Sequence, residues 1–424
     1  MKLSRRQMLM LAAAAPAGAA NPASPLGLQF EPEPLALADG RSPRVVARRA
    51  HGLLLIYTAA AAQGGADLLF CSSSDLGETW TEPQRVNSQP GEVSDHGENS
   101  PQLLLSPDEM TMYAVWNARD PQAPMGSHVR FSRAGSMNPV WSPAITLNDD
   151  GLPVSHSFQG AAVGPDGTIY AAWLDGRERE SGGGQDKGYT GGSSALYLAR
   201  STDGGRTFGK NQRIAGDVCP CCRVAFGFSA GRAVVSWRGV QSGDIRDIHV
   251  ASSGDSGATW TAGSRVAEDN WKIKGCPHVG ASLAALNGRL WLAWYSEGAG
   301  KPGIFLASSQ DGGQTFGPRR LVSEGTTDPT HPELTAAEDR LAVVFQARSA
   351  AARAGFGKTG IYYREFTPSG VPGRLIRFEP SVATPNYPHV ALGMSGRAFV
   401  TWTETVAGKP KALLVRGRPR SAAS

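Results

Sequence analysis

An all-β, seven-bladed β-propeller of four-stranded antiparallel blades is the fold this 424-residue chain predicts, and three observations predict it. An apolar stretch ends in an aromatic residue seven times, at Tyr57, Trp116, Trp173, Trp237, Trp294, Phe345 and Trp402. The spacing is nearly even, one unit of ~57 residues, and strand-rich repeats of that length are propeller blades. Within each copy, period-two alternation and turn residues mark the same succession of short strands.

First strands follow a Pro or His, as in SPRVVA, SPQLLL, SFQGAAV, CCRVAFGF, PHVGASLA, HPELTA and PHVALG. Second strands end on the seven aromatics, in LLLIY, MYAVW, IYAAW, AVVSW, LWLAW, LAVVF and AFVTW. Third strands read DLLFCS, HVRFS, ALYLARS, DIHVASS, GIFLASS, IYYREF and ALLVRG. Fourth strands are marked in six copies, at RVNS, AITLN, QRIAG, SRVAE, RRLVSE and RLIRFE, and the seventh copy runs out of chain. A ring must cover that missing edge. Residues Leu26 to Ala38 are therefore expected to pair with the last blade, with Pro32 and Pro34 restricting them to edge pairing; the alternative is a loose tail.

The repeat leaves no boundary between copies, so residues 21–424 read as one domain. Its longest interruption, RERESGGGQDKGYTGGSS, is Gly-rich and charged and reads as a mobile surface loop. Residues 1–20 read as a cleaved export signal: Ser4-Arg5-Arg6-Gln7-Met8-Leu9, an apolar run, then Ala17-Gly18-Ala19. The paired arginines resemble a twin-arginine signal, which implies folding before export to the periplasm or medium. The alternative is an ordinary secretory signal. Losing Lys2, Arg5 and Arg6 lowers the formal charge from +5 to +2, and no basic stripe for nucleic acid is left. The mature chain has no apolar span long enough for a bilayer and is expected to be a monomer.

A second string recurs with strict spacing. Ser73-x-Asp75-x-Gly77-x-Thr79-Trp80 returns at Ser201 to Phe208, Ser253 to Trp260 and Ser309 to Phe316. It has the chemistry of a turn, with Asp accepting backbone N–H bonds, Gly at positive φ and the aromatic packing between sheets. This is the Asp-box (BNR repeat), and with the blade pattern the chain resembles the sialidase-like superfamily of propellers over residues 26 to 418. The strings CPCCR, SWRG, IRDIHVASS, NWKIKGCPH and WLDGR are also similar to those of a group of exported bacterial Asp-box proteins of sialidase-like fold. Sialidases proper are six-bladed, which makes six blades the alternative to the seven copies counted here.

With strands alternating in direction, first-strand starts and second-strand ends gather on the face opposite the Asp-boxes. Five of the eight histidines, His96, His156, His278, His331 and His389, fall at first-strand starts. A ligand site at that mouth is expected, for a carbohydrate or other small anion. The sialidase resemblance implies an arginine cluster for the sugar carboxylate, a Tyr nucleophile activated by Glu, and an Asp acid. The candidates for binding are His96, Arg177, Arg223, Arg238, Arg246 and Arg348. Those for chemistry are Tyr295 or Tyr387, with Glu297 or Glu333 beside it, and Asp95 or Asp175 as the acid. Taken singly, each has a structural alternative, an Arg after a strand being often an ion-pair partner. The family's Arg-Ile-Pro is replaced by Ser42-Pro43-Arg44-Val45-Val46. This leaves two functions in view: a glycan-directed protein, possible as an exo-glycosidase on acidic sugars, and a non-catalytic binding or metal-handling propeller.

The second function rests on cysteine. Four of the five cluster in Cys219-Pro220-Cys221-Cys222-Arg223 and Gly275-Cys276-Pro277-His278, which open adjacent blades and should meet on the mouth face. Export favours disulfides, in one of three pairings. Thiolates beside an imidazole equally suit copper or zinc, with Cys219, Cys221, Cys222, Cys276 and His278 as ligands; a reactive thiol is the third alternative. Cys71 reads as a buried strand residue.

Overall fold

The computed structural model describes residues 27–49, 52–178, 194–298, 300–350, 358–380, 384–394 and 396–419. Residues 1–20, expected to be an export signal, and most of the Gly-rich insertion lie outside the described residues. The described strands form seven antiparallel sheets in chain order, six of four strands and one of five. This settles the count at seven blades. Strand order within a blade is sequential: in the fifth, Ser282–Leu286, Arg289–Ser296, Gly303–Ser309 and Arg320–Leu321 lie side by side.

The last blade has only three strands of its own, Pro385–Leu392, Ala398–Val406 and Lys409–Pro419. Its outer edge is taken by Leu28–Phe30 and Leu35–Ala38, both antiparallel to Lys409–Pro419. The expected ring closure is present. It works because Leu28 and Phe30 face inward while Gln29 faces out. Phe30 packs edge-on against Tyr363 and Phe378, both at 4.9 Å between ring centroids.

Among the described residues there is no central apolar core. The buried apolar side chains fall into seven clusters, each formed between two neighbouring blades. The seven aromatics that mark the repeat are buried in these clusters. Because each cluster needs both of its sheets, a blade buries its apolar faces only when the ring is complete.

The four Asp-boxes share one geometry. In the first, Ser73 Oγ lies 2.7 Å from Asp75 Oδ1, and the N–H groups of Gly77 and Thr79 donate to Ser73 Oγ and Asp75 Oδ1 at 2.8 and 2.9 Å. The same bonds recur in the other three. The glycine that lets the chain turn has φ +88° at Gly77 and +84° at Gly313. The boxes close the face opposite the mouth and leave the mouth to other residues.

Truncating Phe30 to Ala should cost about 3–5 kcal/mol, read as a lower urea midpoint of the whole ring. A variant as stable as the parent would show the N-terminal strand to be dispensable.

Candidate functional site

Opposite the end of its second strand, a blade's first strand reaches the axis. Four blades use the same tripeptide there: Ser42-Pro43-Arg44, Ser100-Pro101-Gln102, His331-Pro332-Glu333 and Tyr387-Pro388-His389. Their last residues stand opposite Ile56, Val115, Val344 and Thr401, each one place before an aromatic. Proline is tolerated because this inner strand is a sheet edge without a further ladder partner. Ser42, His331 and Tyr387 hold φ of +52°, +53° and +50°. A non-glycine residue in that region costs roughly 1–2 kcal/mol, and such strain collects at functional positions.

The axis is filled by ion pairs drawn from around the ring. Arg223 spans two glutamates, at 2.7 Å from Glu98 and 3.0 Å from Glu333, and also donates to the Pro332 carbonyl. Arg44 lies 3.5 Å and His389 3.3 Å from Glu333. The other oxygen of Glu98 accepts the Gly280 N–H at 2.7 Å. Burial alone would raise the Glu333 pKa; Arg44, Arg223 and His389 outweigh it and hold the carboxyl well below the usual range. Burial lowers His331 and His389, which favours neutral imidazoles. His331 meets Tyr387 edge-on at 4.5 Å.

Asp95 behaves in the opposite way to Glu333. Its carboxylate takes hydrogen bonds from Ser42 Oγ at 2.8 Å and from Thr58 Oγ1. Burial outweighs those bonds and the charges of Arg41 and Arg44, and its pKa is raised. Burial also raises the Tyr387 hydroxyl, with the Glu98 and Asp95 charges adding to it. At the rim, Arg41 and Arg119 are exposed and make no ion pair among the described residues. The cleft lined by Ser42, Arg44, Glu98, Arg223, His331, Glu333, Tyr387 and His389 has about 20 Å³ of free space, room for a single water.

Of the expected residues, the cleft therefore gathers Arg223, Glu333 and Tyr387, with Asp95 beside them. His96 stands exposed on the rim, edge-on to Phe158 at 5.9 Å. The others have different partners. Asp175 is fully buried, accepting the Trp173 indole N–H at 2.7 Å and the Arg177 guanidinium at 2.8 Å. With Asp150 and His156 these two form a brace in the third blade. Arg238 spends its donors on the carbonyls of Val279, Arg246 and Tyr295. Arg348 pairs with Asp328 at 3.2 Å. Tyr295 does donate to Glu297 at 2.6 Å, but this pair lies outside the central cleft.

The sequence assigns no role to Arg44 or Glu98, and it places His331 and His389 at the mouth without one. The repeated x-Pro-y tripeptide, aligned on the aromatics, is the signal that finds three of them. Glu98 has no such mark.

The cysteine loops do meet, on the mouth face, where the Cys219 N–H donates to the Arg238 carbonyl at 2.8 Å. All five cysteines are free, so no expected disulfide is formed. Arg246 donates to Cys219 Sγ at 3.0 Å. Hydrogen bonds from Cys221, Cys222 and Cys276 lower the Cys219 thiol far below its ordinary range, aided by Arg246 and opposed by burial. Cys221, bonded to Cys219, and Cys222, through burial, move up. Cys71 is a buried strand residue, as expected.

The chain matches no protein-family model and no curated protein. Solved structures do resemble it. A protein of unknown function from Dyadobacter fermentans is 19% identical over 93% of this chain and 100% of its own, with a TM-score of 0.54. A family PL25 ulvan lyase, a polysaccharide lyase seen bound to -[GlcA(1-4)Rha3S]-, is 12% identical over 90% and 95%, with a TM-score of 0.51. A leech intramolecular trans-sialidase superposes more loosely, 13% identical over 98% and 72%, at 0.48. At these identities the likeness is one of fold. No helix among the described residues is long and apolar enough to cross a membrane.

Replacing Glu333 with Gln should cost about 3–5 kcal/mol at neutral pH, because buried Arg223 and half-buried Arg44 lose the charge they share. A folded-state pKa below the unfolded value gives stability present above about pH 4 and lost as pH falls through the folded value. The gap in melting temperature between parent and Glu333→Gln should therefore be widest near neutrality and narrow in acid. A gap independent of pH would remove the charge pairing as its cause.

Proposed function

We propose that the mouth of the ring binds an acidic carbohydrate and that the protein acts on it as an exo-glycosidase of the sialidase type. One observation carries this reading. Four guanidinium groups, Arg41, Arg44, Arg119 and Arg223, face the opening against two glutamates, Glu98 and Glu333, while the third carboxyl, Asp95, has its pKa raised by burial. The surplus positive charge suits a ligand carboxylate, and the unpaired rim arginines are placed to receive it first.

The roles follow from the surroundings. Asp95 is the acid, since a raised pKa keeps a proton available for the departing glycosidic oxygen. Tyr387 is the nucleophile. Its phenol oxygen bonds to the anomeric carbon as that carbon loses the leaving oxygen, and its proton passes to Glu98, whose charge bears on it. Water then displaces Tyr387 from the anomeric carbon, giving its proton to Asp95, while Glu98 returns its own to the phenol oxygen. The ulvan lyase of similar fold is a precedent for an acidic glycan on such a ring. Residues 1–20 would deliver the folded protein outside the cytoplasm, where such glycans are met.

A second reading is binding at the rim without turnover, favoured by a cleft that admits only a single water and by the pairing of Arg44 and Arg223 with glutamates. Fluorogenic sialosides and uronides separate the two. Turnover should fall by at least ~100-fold in Asp95→Asn and Tyr387→Phe, whereas Arg41→Ala should chiefly raise KM. Saturable binding of acidic sugars without turnover would establish the second reading. If no acidic glycan is bound or cleaved, both fail.

A further inference from the structure

The sulfurs of Cys219, Cys221 and Cys222 form a nearly equilateral triangle, with edges of 3.6, 3.9 and 3.9 Å. A disulfide would bring two of them to about 2.05 Å. Around a tetrahedral metal with bonds of about 2.3 Å, sulfurs stand about 3.8 Å apart. The triangle has the dimensions of one face of such a site. Cys276 stands beside this face: Cys221 Sγ, Cys276 Sγ and one ring nitrogen of His278 lie within 4.8 Å of one another.

The surroundings fit a charged centre as well. The three sulfurs of the triangle are buried, at 0%, 4% and 0% exposure, while Cys276 is half-buried and His278 exposed. Four thiolates around a divalent cation, or three around a univalent one, leave an excess of two negative charges. Two arginines offset it. Arg246 donates to Cys219 Sγ at 3.0 Å, and the guanidinium of Arg238, 1% exposed, bears on Cys222.

We propose that Cys219, Cys221, Cys222 and Cys276 bind one thiophilic d10 cation, Zn(II) or Cu(I), with His278 at the solvent side of the site. Binding displaces the thiol protons to solvent. A closed sulfur set of this kind is structural, and its position says what it holds. Cys222 is bonded to Arg223, and the loop carrying Cys276 and His278 continues to Gly280. Arg223 and the Gly280 N–H are two hydrogen-bond donors to Glu98 in the cleft. The metal thus ties together the two loops that fix that glutamate.

The test uses the full-length protein purified without a tag. Elemental analysis should give one equivalent of zinc or copper per chain, and competition with a zinc chelator and with a Cu(I) chelator tells which. Stripping the metal under reducing conditions should expose four thiols to a thiol reagent beyond Cys71. Adding back Zn(II) or Cu(I) should protect those four and raise the melting temperature, and Co(II) should give thiolate-to-cobalt absorption. Cys219→Ser and Cys276→Ser should each weaken binding at least tenfold. If either fails to fold, titration of the unmutated protein decides alone. The proposal is overturned by thiols that stay reactive whatever metal is added, or by a metal-free protein whose mass shows these cysteines paired in disulfides.

Discussion

Two glutamates sit at the axis of a ring, and a carboxylate can stay buried there only if cations from elsewhere in the ring reach it. Glu98 comes from the loop into the second blade and Glu333 from the sixth. Their partners come from the first blade (Arg44), the fourth (Arg223), the fifth (Gly280 N–H) and the seventh (His389). Six of the seven blades thus meet in one network. The apolar clusters hold each blade to its neighbours, but they are indifferent to the centre. The ion network is what relates blades across the axis, and it sets the shape of the mouth.

That arrangement explains how one opening can house carboxyl groups of opposite character. Glu333 has two guanidinium groups and an imidazole within reach and is held ionised. Asp95 has hydroxyl partners and more distant arginines, and burial prevails. The difference lies in where the cations stand, which follows from which first strands carry arginine. The same logic separates the acids at second-strand ends. Asp175 and Glu404 follow an indole by two residues and accept its N–H, a role in holding tryptophan rather than in chemistry.

The architecture was legible in the sequence because each of its rules is local and repeated. Seven aromatics set the period, four Asp-boxes marked the face, and the shortage of strands in the last copy pointed to the segment from Leu26 to Ala38 to close the ring. The cysteine meeting was legible for the same reason, since topology places both loops on one face. The interior of the mouth was harder. Arg177, Arg238 and Arg348 look like anion ligands on a strand diagram, yet their partners Asp150 and the Val279 carbonyl come from loops, and Asp328 from the bulged start of a first strand, whose paths no periodicity describes. Arg44 was visible but read as a departure from a motif. Only the shared x-Pro-y spacing shows that it stands in the position that Glu333 and His389 occupy in their own blades.

The two clusters on the mouth face are mechanically one. Arg223 has no freedom to move independently of Cys222, and its guanidinium makes two of the ion pairs that keep Glu98 and Glu333 in place. Gly280 is equally constrained from the other loop. A Cβ at that glycine would lie 2.5 Å from both the Arg223 carbonyl and its Cγ, so the two loops already touch at the shortest distance the chain allows. The sulfurs and the carboxylates are thus held by the same two loops. A soft ligand set, which takes one geometry when its centre is satisfied, is placed where it fixes the hard charges of the opening.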